Sequence, residues 1–178
     1  MLADLDLLLT AVFCAADDLL PKRAGNARRR ITDAEVVTLC VAQAVLAISS
    51  DRRFLRAARR QLAGLFSVLP TQDAYWKRRA RLAEQIERLM AAFARDCPGL
   101  RPARKTEPDN GRHLSSIRQR IESIFWTLKD QLGLEGHRAR TLHGLRARIA
   151  SNLPAYSAGI WLTRLTGRPS RAFADLTA

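Results

Sequence analysis

Cysteine and histidine are scarce in this sequence, with three of each among 178 residues. Cys14, Cys40 and Cys97 have no CxxC spacing, and the histidines form no metal-ligand motif with them. An odd number of cysteines without a pairing pattern also argues against a disulfide framework. We therefore expect no zinc site and no disulfide. Cys14 and Cys40 fall in apolar helical stretches, where a cysteine is usually a small buried residue.

Strand-like alternation and long apolar runs are also missing. No stretch alternates polar and apolar residues for long enough to make a sheet, and there is no internal repeat or glycine-rich phosphate loop. The first 20 residues have acidic side chains where a signal peptide needs basic ones, and too few unbroken apolar residues to cross a bilayer. The sequence therefore predicts an all-α protein of about six or seven helices in the cytoplasm.

Acidic residues are too few to balance the basic ones. There are 17 of them against 30 basic residues, which gives a formal net charge of +13, and most of the basic residues are arginines. The planar guanidinium of arginine favours bidentate contacts with phosphate and guanine. A hydrophobic content of 47% is still enough for a core, so the chain is not a disordered tail. We expect a folded protein whose partner is nucleic acid, in preference to an acidic protein or a membrane.

Apolar residues at helical spacing predict four helices before a break at residues 96–99. They cover residues 3–20, 32–48, 51–66 and 72–95. Thr32 and Glu35 make a capping box at the start of the second helix, which is apolar nearly all round and should be central. These helices indicate a bundle with a helix-turn-helix-like character, a common architecture of DNA-binding proteins.

The third predicted helix has two distinct faces. At 100° per residue, Phe54, Leu55, Leu62, Leu65 and Phe66 share one arc, and five arginines occupy the opposite arc. A second basic segment is the loop before the capping box. The DNA-contacting candidates are Lys22, Arg23, Arg28, Arg29 and Arg30 in the loop, and Arg52, Arg53, Arg56, Arg59 and Arg60 on the helix. The alternative for both segments is a surface that is only solvated.

A basic segment rich in proline and glycine, residues 98–113, predicts a linker between an N-terminal lobe, 1–97, and a C-terminal lobe, 114–178. The second lobe begins with a helix whose apolar stripe comprises Leu114, Ile117, Ile121, Ile124, Phe125, Leu128 and Leu132. Gly133 and Gly136 should end this helix. A further helix should run from Thr141 to about Asn152, and the last one should have Pro154 in its first turn.

Arg118, Glu122 and Lys129 follow the pattern Arg-x3-Glu-x6-Lys, which places them within about 40° on one strip of an α-helix. Alone, the pattern predicts only an ion pair of roughly 0.3–0.5 kcal/mol. In its context, RQRIESIFWTLKDQLGLEGHRARTLHGLRARI, it resembles the segment around the last catalytic carboxylate of bacterial insertion-sequence transposases of the DDE type. The family's signature has a tyrosine where this chain has Ser115. The N-terminal stretches LTAVFCAADDLLPKR and ITDAEVVTLCVAQAVLAISSDRRFLRAARR are similar to the N-terminal helical region of one branch of the same family.

The resemblance implies an RNase-H-like core in which two aspartates on strands and one glutamate on a helix hold two divalent metal ions, usually Mg²⁺. Only Glu122 is present, as the third carboxylate, with Arg118 and Lys129 beside it. The strand-borne aspartates belong between the N-terminal bundle and the linker, where the sequence reads like an in-frame internal deletion. None of Asp73, Asp96 or Asp109 lies in a buried apolar strand. We therefore expect the catalytic motif to be vestigial, with no metal site or cofactor in this chain alone.

These observations favour a transposase-derived DNA-binding protein that binds element ends and is inactive on its own. Its partners would be DNA and, beyond that, another copy of itself or an intact transposase, with which it could compete. Three alternatives stay open. The chain could donate Glu122 to a core supplied by another chain, it could be an unrelated arginine-rich RNA-binding or transcription-regulatory protein, or it could be a relic without a selected function.

Overall fold

Helices are the only regular elements in the part of the chain that the computed structural model describes, residues 2–21, 30–96 and 112–167. In chain order they are α1 (Leu2–Leu19), α2 (Asp33–Val45), α3 (Asp51–Gln61), α4 (Gln72–Arg81), α5 (Ala83–Asp96), α6 (Arg112–Trp126) and α7 (Leu142–Leu165). A π-helical turn, Thr127–Gln131, continues α6. The predicted all-α fold of six or seven helices is confirmed for these residues.

Four helix starts are fixed by side chains of the local sequence. The Thr32 hydroxyl accepts a hydrogen bond from the Glu35 amide at 3.1 Å, and the Glu35 carboxylate accepts one from the Thr32 amide. The predicted capping box is therefore confirmed. Ser50, Thr71 and Thr141 cap α3, α4 and α7 through single hydrogen bonds to a backbone N–H. Each cap satisfies a donor that the helix itself leaves unpaired.

The second helix lies at the centre of the bundle, as its composition predicts. Eleven of its 13 residues are buried, and it packs against α1, α4 and α7. The large side chains around it that are almost fully buried include Leu8, Leu9, Val12, Phe54, Tyr75, Ile86 and Leu89. An element buried on every side cannot be amphipathic, which is why α2 is apolar nearly all round.

The last helix is longer than the sequence predicts. In place of two helices meeting near Pro154, one helix of 24 residues runs from Leu142 to Leu165 with the proline inside it. The prediction of a helix start at Pro154 was wrong, because a proline costs an internal helix only about 3 kcal/mol, which burial of the surrounding helix can offset. The buried residues of α7 include many small ones, among them Ala147, Ala150, Ser151, Ala155, Ser157, Ala158 and Gly159. Small side chains let α7 lie close to α2 and α5.

Several smaller expectations differ from the structure. The third helix ends at Gln61 rather than Phe66, so helical spacing no longer applies to Leu65, which is exposed. The predicted fourth helix is interrupted at Leu82, which separates α4 from α5. Cys14 is exposed, because α1 packs against the bundle on one side only, whereas Cys40 is buried as expected.

The apolar stripe of α6 is only partly covered by described residues. Leu128 and Leu132 are buried, whereas the side chains of Ile121, Phe125 and Trp126 are about half exposed. Gly133 follows the helix with φ +62°, the left-handed conformation in which glycine commonly ends helices. The predicted end of this helix is confirmed.

Helices from both sides of the predicted linker share one core. The last helix packs most extensively against α5, where the rings of Phe93 and Trp161 lie 5.6 Å apart. Arg146 also donates two hydrogen bonds of 3.0 Å to the carboxylate of Glu87. The boundaries predicted for the two lobes stay predictions, because most of the linker lies outside the described ranges.

A polar cluster joins four helices inside the bundle; it consists of Gln43, Asp51, Tyr75, Arg79 and Arg148. Arg79 donates hydrogen bonds to both carboxylate oxygens of Asp51, at 2.8 and 3.1 Å. Arg148 of α7 donates to the same carboxylate at 2.6 Å. The Gln43 amide donates to Asp51 at 2.9 Å, and the Gln43 carbonyl oxygen accepts from the Tyr75 hydroxyl at 2.8 Å. Asp51 is thus the common acceptor for groups from α2, α4 and α7.

The polar cluster contains more positive than negative charge, because Arg79 and Arg148 both pair with the one carboxylate of Asp51. Burial alone would raise the pKa of Asp51, but its hydrogen bonds with Arg79 and the positive charges of Arg79 and Arg148 outweigh burial, so the pKa lies below its ordinary value. Burial and the positive charge of Arg79 lower the pKa of Arg148. Two guanidinium groups thus share one carboxylate in a largely buried position. Removal of that carboxylate would leave both guanidinium groups without their counter-ion.

We expect Asp51→Asn to reduce the free energy of unfolding by about 3 kcal/mol or more, because it leaves the buried guanidinium group of Arg79 and the largely buried one of Arg148 without a negative partner. The measurement is urea unfolding followed by circular dichroism. Asp73→Asn is the matched control, since Asp73 pairs with Lys77 in a well-exposed position and its loss should cost under about 1 kcal/mol. Equal effects of the two substitutions would contradict the central role of Asp51.

The difference in stability between the wild type and Asp51→Asn should also depend on pH. Because the folded-state pKa of Asp51 is lowered, its contribution to stability is fully present above about pH 4 and is lost as the pH falls through the folded-state pKa. The difference in stability between the wild type and Asp51→Asn should therefore shrink with acidification below about pH 4. A difference that stays constant down to the lowest pH at which the protein folds would count against this assignment.

Candidate functional site

The third helix presents an arginine face to solvent. Phe54, Leu55 and Ala58 are buried on its inner side, where it packs against α4. The five arginine side chains of the arginine face, Arg52, Arg53, Arg56, Arg59 and Arg60, are all exposed. Within Asp51–Gln61 the predicted separation of the two faces is therefore confirmed, whereas Leu65 of the predicted apolar arc lies beyond the helix and is exposed. Ser50 caps the helix, and Asp51 in its first turn belongs to the polar cluster, so the helix that carries these arginines is held at its start.

The arginine face has no neutralising partner among the described residues. The salt bridges between described residues involve other cations, such as Arg78 with Asp33 and Arg88 with Glu84. Five guanidinium groups on 11 residues of helix repel one another, and an anion bound over them would relieve that repulsion. The arrangement is suited to binding an extended polyanion.

The predicted basic loop lies mostly outside the described residues. Lys22, Arg23, Arg28 and Arg29 lie outside the described residues, so their contribution stays a prediction. Arg30 is described, and its side chain is exposed. It precedes the capping box of α2.

The Arg-x3-Glu-x6-Lys motif lies on the surface of α6 and the π-helical turn. The Nε atom of Arg118 donates a hydrogen bond to Glu122 Oε1 at 2.8 Å, and both side chains are more than half exposed. Lys129 pairs instead with Glu135, whose hydrogen bond and negative charge raise the pKa of the lysine. The π-helical turn changes the residue spacing before Lys129, so the strip predicted for a regular α-helix does not apply there. The structure brings Arg118 and Glu122 together, but Lys129 has a different partner.

The described residues do not fit a two-metal catalytic site. Each divalent ion needs several oxygen ligands held in a fixed relation to the reacting phosphate. Within residues 2–21, 30–96 and 112–167, no group of three or more histidine, cysteine, aspartate or glutamate residues could hold a metal ion. Glu122 is exposed and accepts its hydrogen bond from Arg118. No catalytic step can be assigned to this carboxylate from its described surroundings.

Sequence reasoning missed the polar cluster, although one signal for it was present. Tyr75, Arg79 and Leu82 follow each other at i, i+4 and i+7, so Arg79 belongs to the same inward face as its two buried neighbours. An arginine on a buried face needs a carboxylate partner. The identity of that partner, Asp51, depends on how α3 packs against α4, which spacing within either helix does not reveal.

The described residues define an all-helical, basic protein with an arginine face that has no ion-pair partner among them and an exposed ion pair between Arg118 and Glu122. Residues 33–157, more than half of the chain, match the family of transposase DDE domains, and the chain belongs to that family. Neither curated proteins nor solved structures gave a match. The expected resemblance to DDE transposases is thus confirmed, and with it a function related to transposition. No helix in the described residues is both long and apolar enough to cross a membrane.

We expect Glu122→Gln to lower the free energy of unfolding by less than about 1 kcal/mol, because exposed ion pairs contribute little. Urea unfolding measures this change. Glu84→Gln is the matched control, since Glu84 pairs with Arg88 at the same i,i+4 spacing and a similar exposure. A substantially larger loss in Glu122→Gln than in Glu84→Gln would mean that Glu122 has a structural role beyond its pair with Arg118.

Proposed function

We propose that this protein is a transposase-derived DNA-binding protein that contacts duplex DNA through the arginine face of α3. The observation that carries the proposal is the set of five exposed arginines on one helix face, none with a salt-bridge partner among the described residues. Membership of a transposase family supports DNA as the polyanion. The ends of a mobile element are the DNA that this family would lead us to test first.

The chemistry of the interface supports contacts with the phosphate backbone. Arginine side chains make charge-assisted, bidentate hydrogen bonds with phosphate oxygens. Phosphate contacts supply most of the affinity of non-specific binding and release counterions, which makes binding dependent on salt. The basic segment, residues 22–30, would add further phosphate contacts to those of α3. Base recognition requires side chains in the major groove, and the residues that would make such contacts are not part of this proposal.

We also propose that the chain has no catalytic activity alone. Glu122 is its one residue that matches a catalytic carboxylate of the family, and it is exposed and paired with Arg118. A protein that binds element ends without cleaving them would compete with an intact transposase. It could instead associate with another copy of itself or with an intact enzyme, and these partners are outcomes that a binding experiment distinguishes.

We expect the association constant for duplex DNA to fall as the salt concentration rises. A plot of its logarithm against the logarithm of the salt concentration should have a slope of roughly −4 to −7, which corresponds to about 5–8 neutralised phosphates. Changing all five arginines of the arginine face to glutamine should make that slope markedly less steep. Fluorescence anisotropy with labelled duplex DNA over a series of salt concentrations measures the slope.

The matched control removes five exposed arginines elsewhere in the described chain, namely Arg88, Arg118, Arg138, Arg140 and Arg164. Both variants have the same net charge, so a purely global effect of charge would change their slopes equally. An unchanged slope in the arginine-face variant would mean that this face is only solvated. Tighter binding to single-stranded or structured RNA than to duplex DNA would favour an arginine-rich RNA-binding protein instead.

With Mg²⁺ or Mn²⁺, we expect the purified protein to neither nick nor join a supercoiled plasmid that carries its element's ends. The reason is that one exposed carboxylate cannot hold two cations, each of which takes about six oxygen ligands. Gel analysis of plasmid topology measures the activity, and DNA binding under the same conditions verifies that the protein is functional. Metal-dependent cleavage that disappears in Glu122→Gln would overturn the proposal and would mean that other carboxylates of this chain or a second protomer complete the site.

A further inference from the structure

We propose that the depression between α3 and the start of α4 is a seat for a single phosphate of the DNA backbone. This inference rests on the proposed DNA binding and assigns one part of the arginine face a distinct role. Three of the five arginines, Arg52, Arg56 and Arg59, line the depression together with Leu55, Pro70 and Gln72. Arg53 and Arg60 do not line it.

Helix geometry explains why the five arginines divide into two groups. Arg52, Arg56 and Arg59 are spaced i, i+4 and i+7, so they lie within about 60° of each other around the helix axis. Arg53 and Arg60 are seven residues, or about two turns, apart and lie on a neighbouring stripe, roughly 80° around the helix axis from the middle of the first stripe. The first stripe borders the buried side of α3 at Leu55, and the second stripe faces solvent. The spacing of the arginines along α3 therefore brings three of them to the depression. Arg53 and Arg60 carry the same charge per residue but do not line the depression.

The lining of the depression fits an oxyanion. It has a volume of about 220 Å³, far above the roughly 10–15 Å³ that one water molecule requires. Leu55 and Pro70 supply apolar walls, and Gln72 supplies a carboxamide that can donate a hydrogen bond. No acidic residue belongs to the lining. Three guanidinium groups around one depression repel each other until an anion enters it and relieves the repulsion.

A phosphodiester matches the donors of this depression. Its two non-bridging oxygens can each accept from a guanidinium group, which presents its donors in a planar fork. Gln72 is also the first residue of α4, so the positive end of that helix lies at the same edge and adds to the attraction for an anion. The acidic residue of this first turn, Asp73, is exposed and paired with Lys77 rather than part of the lining.

Two double variants that remove equal charge test the seat. In the first variant, Arg56→Gln and Arg59→Gln remove two lining arginines. In the second, Arg53→Gln and Arg60→Gln remove the two arginines of the outer stripe. We expect the dissociation constant for duplex DNA to rise at least about tenfold in the first variant and by no more than about threefold in the second. Thermal unfolding of each variant verifies that the fold is intact, which is expected because all four side chains are exposed.

A scan with single methylphosphonate substitutions, each of which makes one backbone phosphate neutral, gives the second readout. One position should weaken binding of the wild type strongly and have almost no further effect on the Arg56→Gln, Arg59→Gln variant. Equal weakening by the two double variants, with no sensitive position in the scan, would overturn the seat and leave a diffuse DNA-binding face. If neither variant weakens binding, the proposed use of the arginine face fails as well.

Inorganic phosphate distinguishes a backbone phosphate from a free anion. At constant ionic strength, replacement of chloride by phosphate should stabilise the wild type only slightly, because a free phosphate lacks the remaining contacts of DNA. Strong stabilisation by inorganic phosphate that is lost in the Arg56→Gln, Arg59→Gln variant, together with no sensitive position on DNA, would assign the depression to a free anion and overturn the backbone seat.

Discussion

The largely buried carboxylate of Asp51 makes the interactions on which the arrangement of the bundle depends. It accepts hydrogen bonds from Gln43, Arg79 and Arg148, which belong to α2, α4 and α7, and it lies itself at the start of α3. Removing charges from water is costly, and the cost is met here by several short hydrogen bonds to one acceptor. A hydrophobic core could pack these helices in several similar ways, whereas a shared carboxylate requires that their polar groups meet at one point.

The position of Asp51 links stability to the surface that carries the proposed function. Asp51 is the first residue of α3, and the arginine face begins at the next residue along the chain. The carboxylate therefore holds the helix start while its neighbours remain in solvent. The lining arginines also need the start of α4 beside them, and α4 is held by Arg79 of the same polar cluster. The cluster lies inside the bundle, and it fixes the relative position of the two helices that form the depression.

Membership of a transposase family suggests DNA cleavage, whereas the exposed position of Glu122 does not support it. The chain belongs to the family of transposase DDE domains. Glu122, which the sequence pattern predicts to be the family's third carboxylate, is on the surface and paired with an arginine of the same helix. The apolar residues Ile121, Phe125 and Trp126 on the same helix are about half exposed. Affinity for DNA needs only a basic surface, whereas cleavage requires several ligands to converge, and the proposal of binding without cleavage follows from that difference.

Local order was predictable from the sequence because it depends on neighbouring residues. The spacing of polar and apolar residues within single helices predicted the helical class, the central place of α2 and the arginine face. It also predicted the capping box of Thr32 and Glu35. Tertiary packing decided the rest. Burial of α7 against α2 and α5 lets one helix continue through Pro154, and the packing of α3 on α4 brings Asp51 to Arg79. The division of the arginine face into lining and outer residues depends on the same packing, because a helix determines which side chains share a stripe but not which stripe meets another helix.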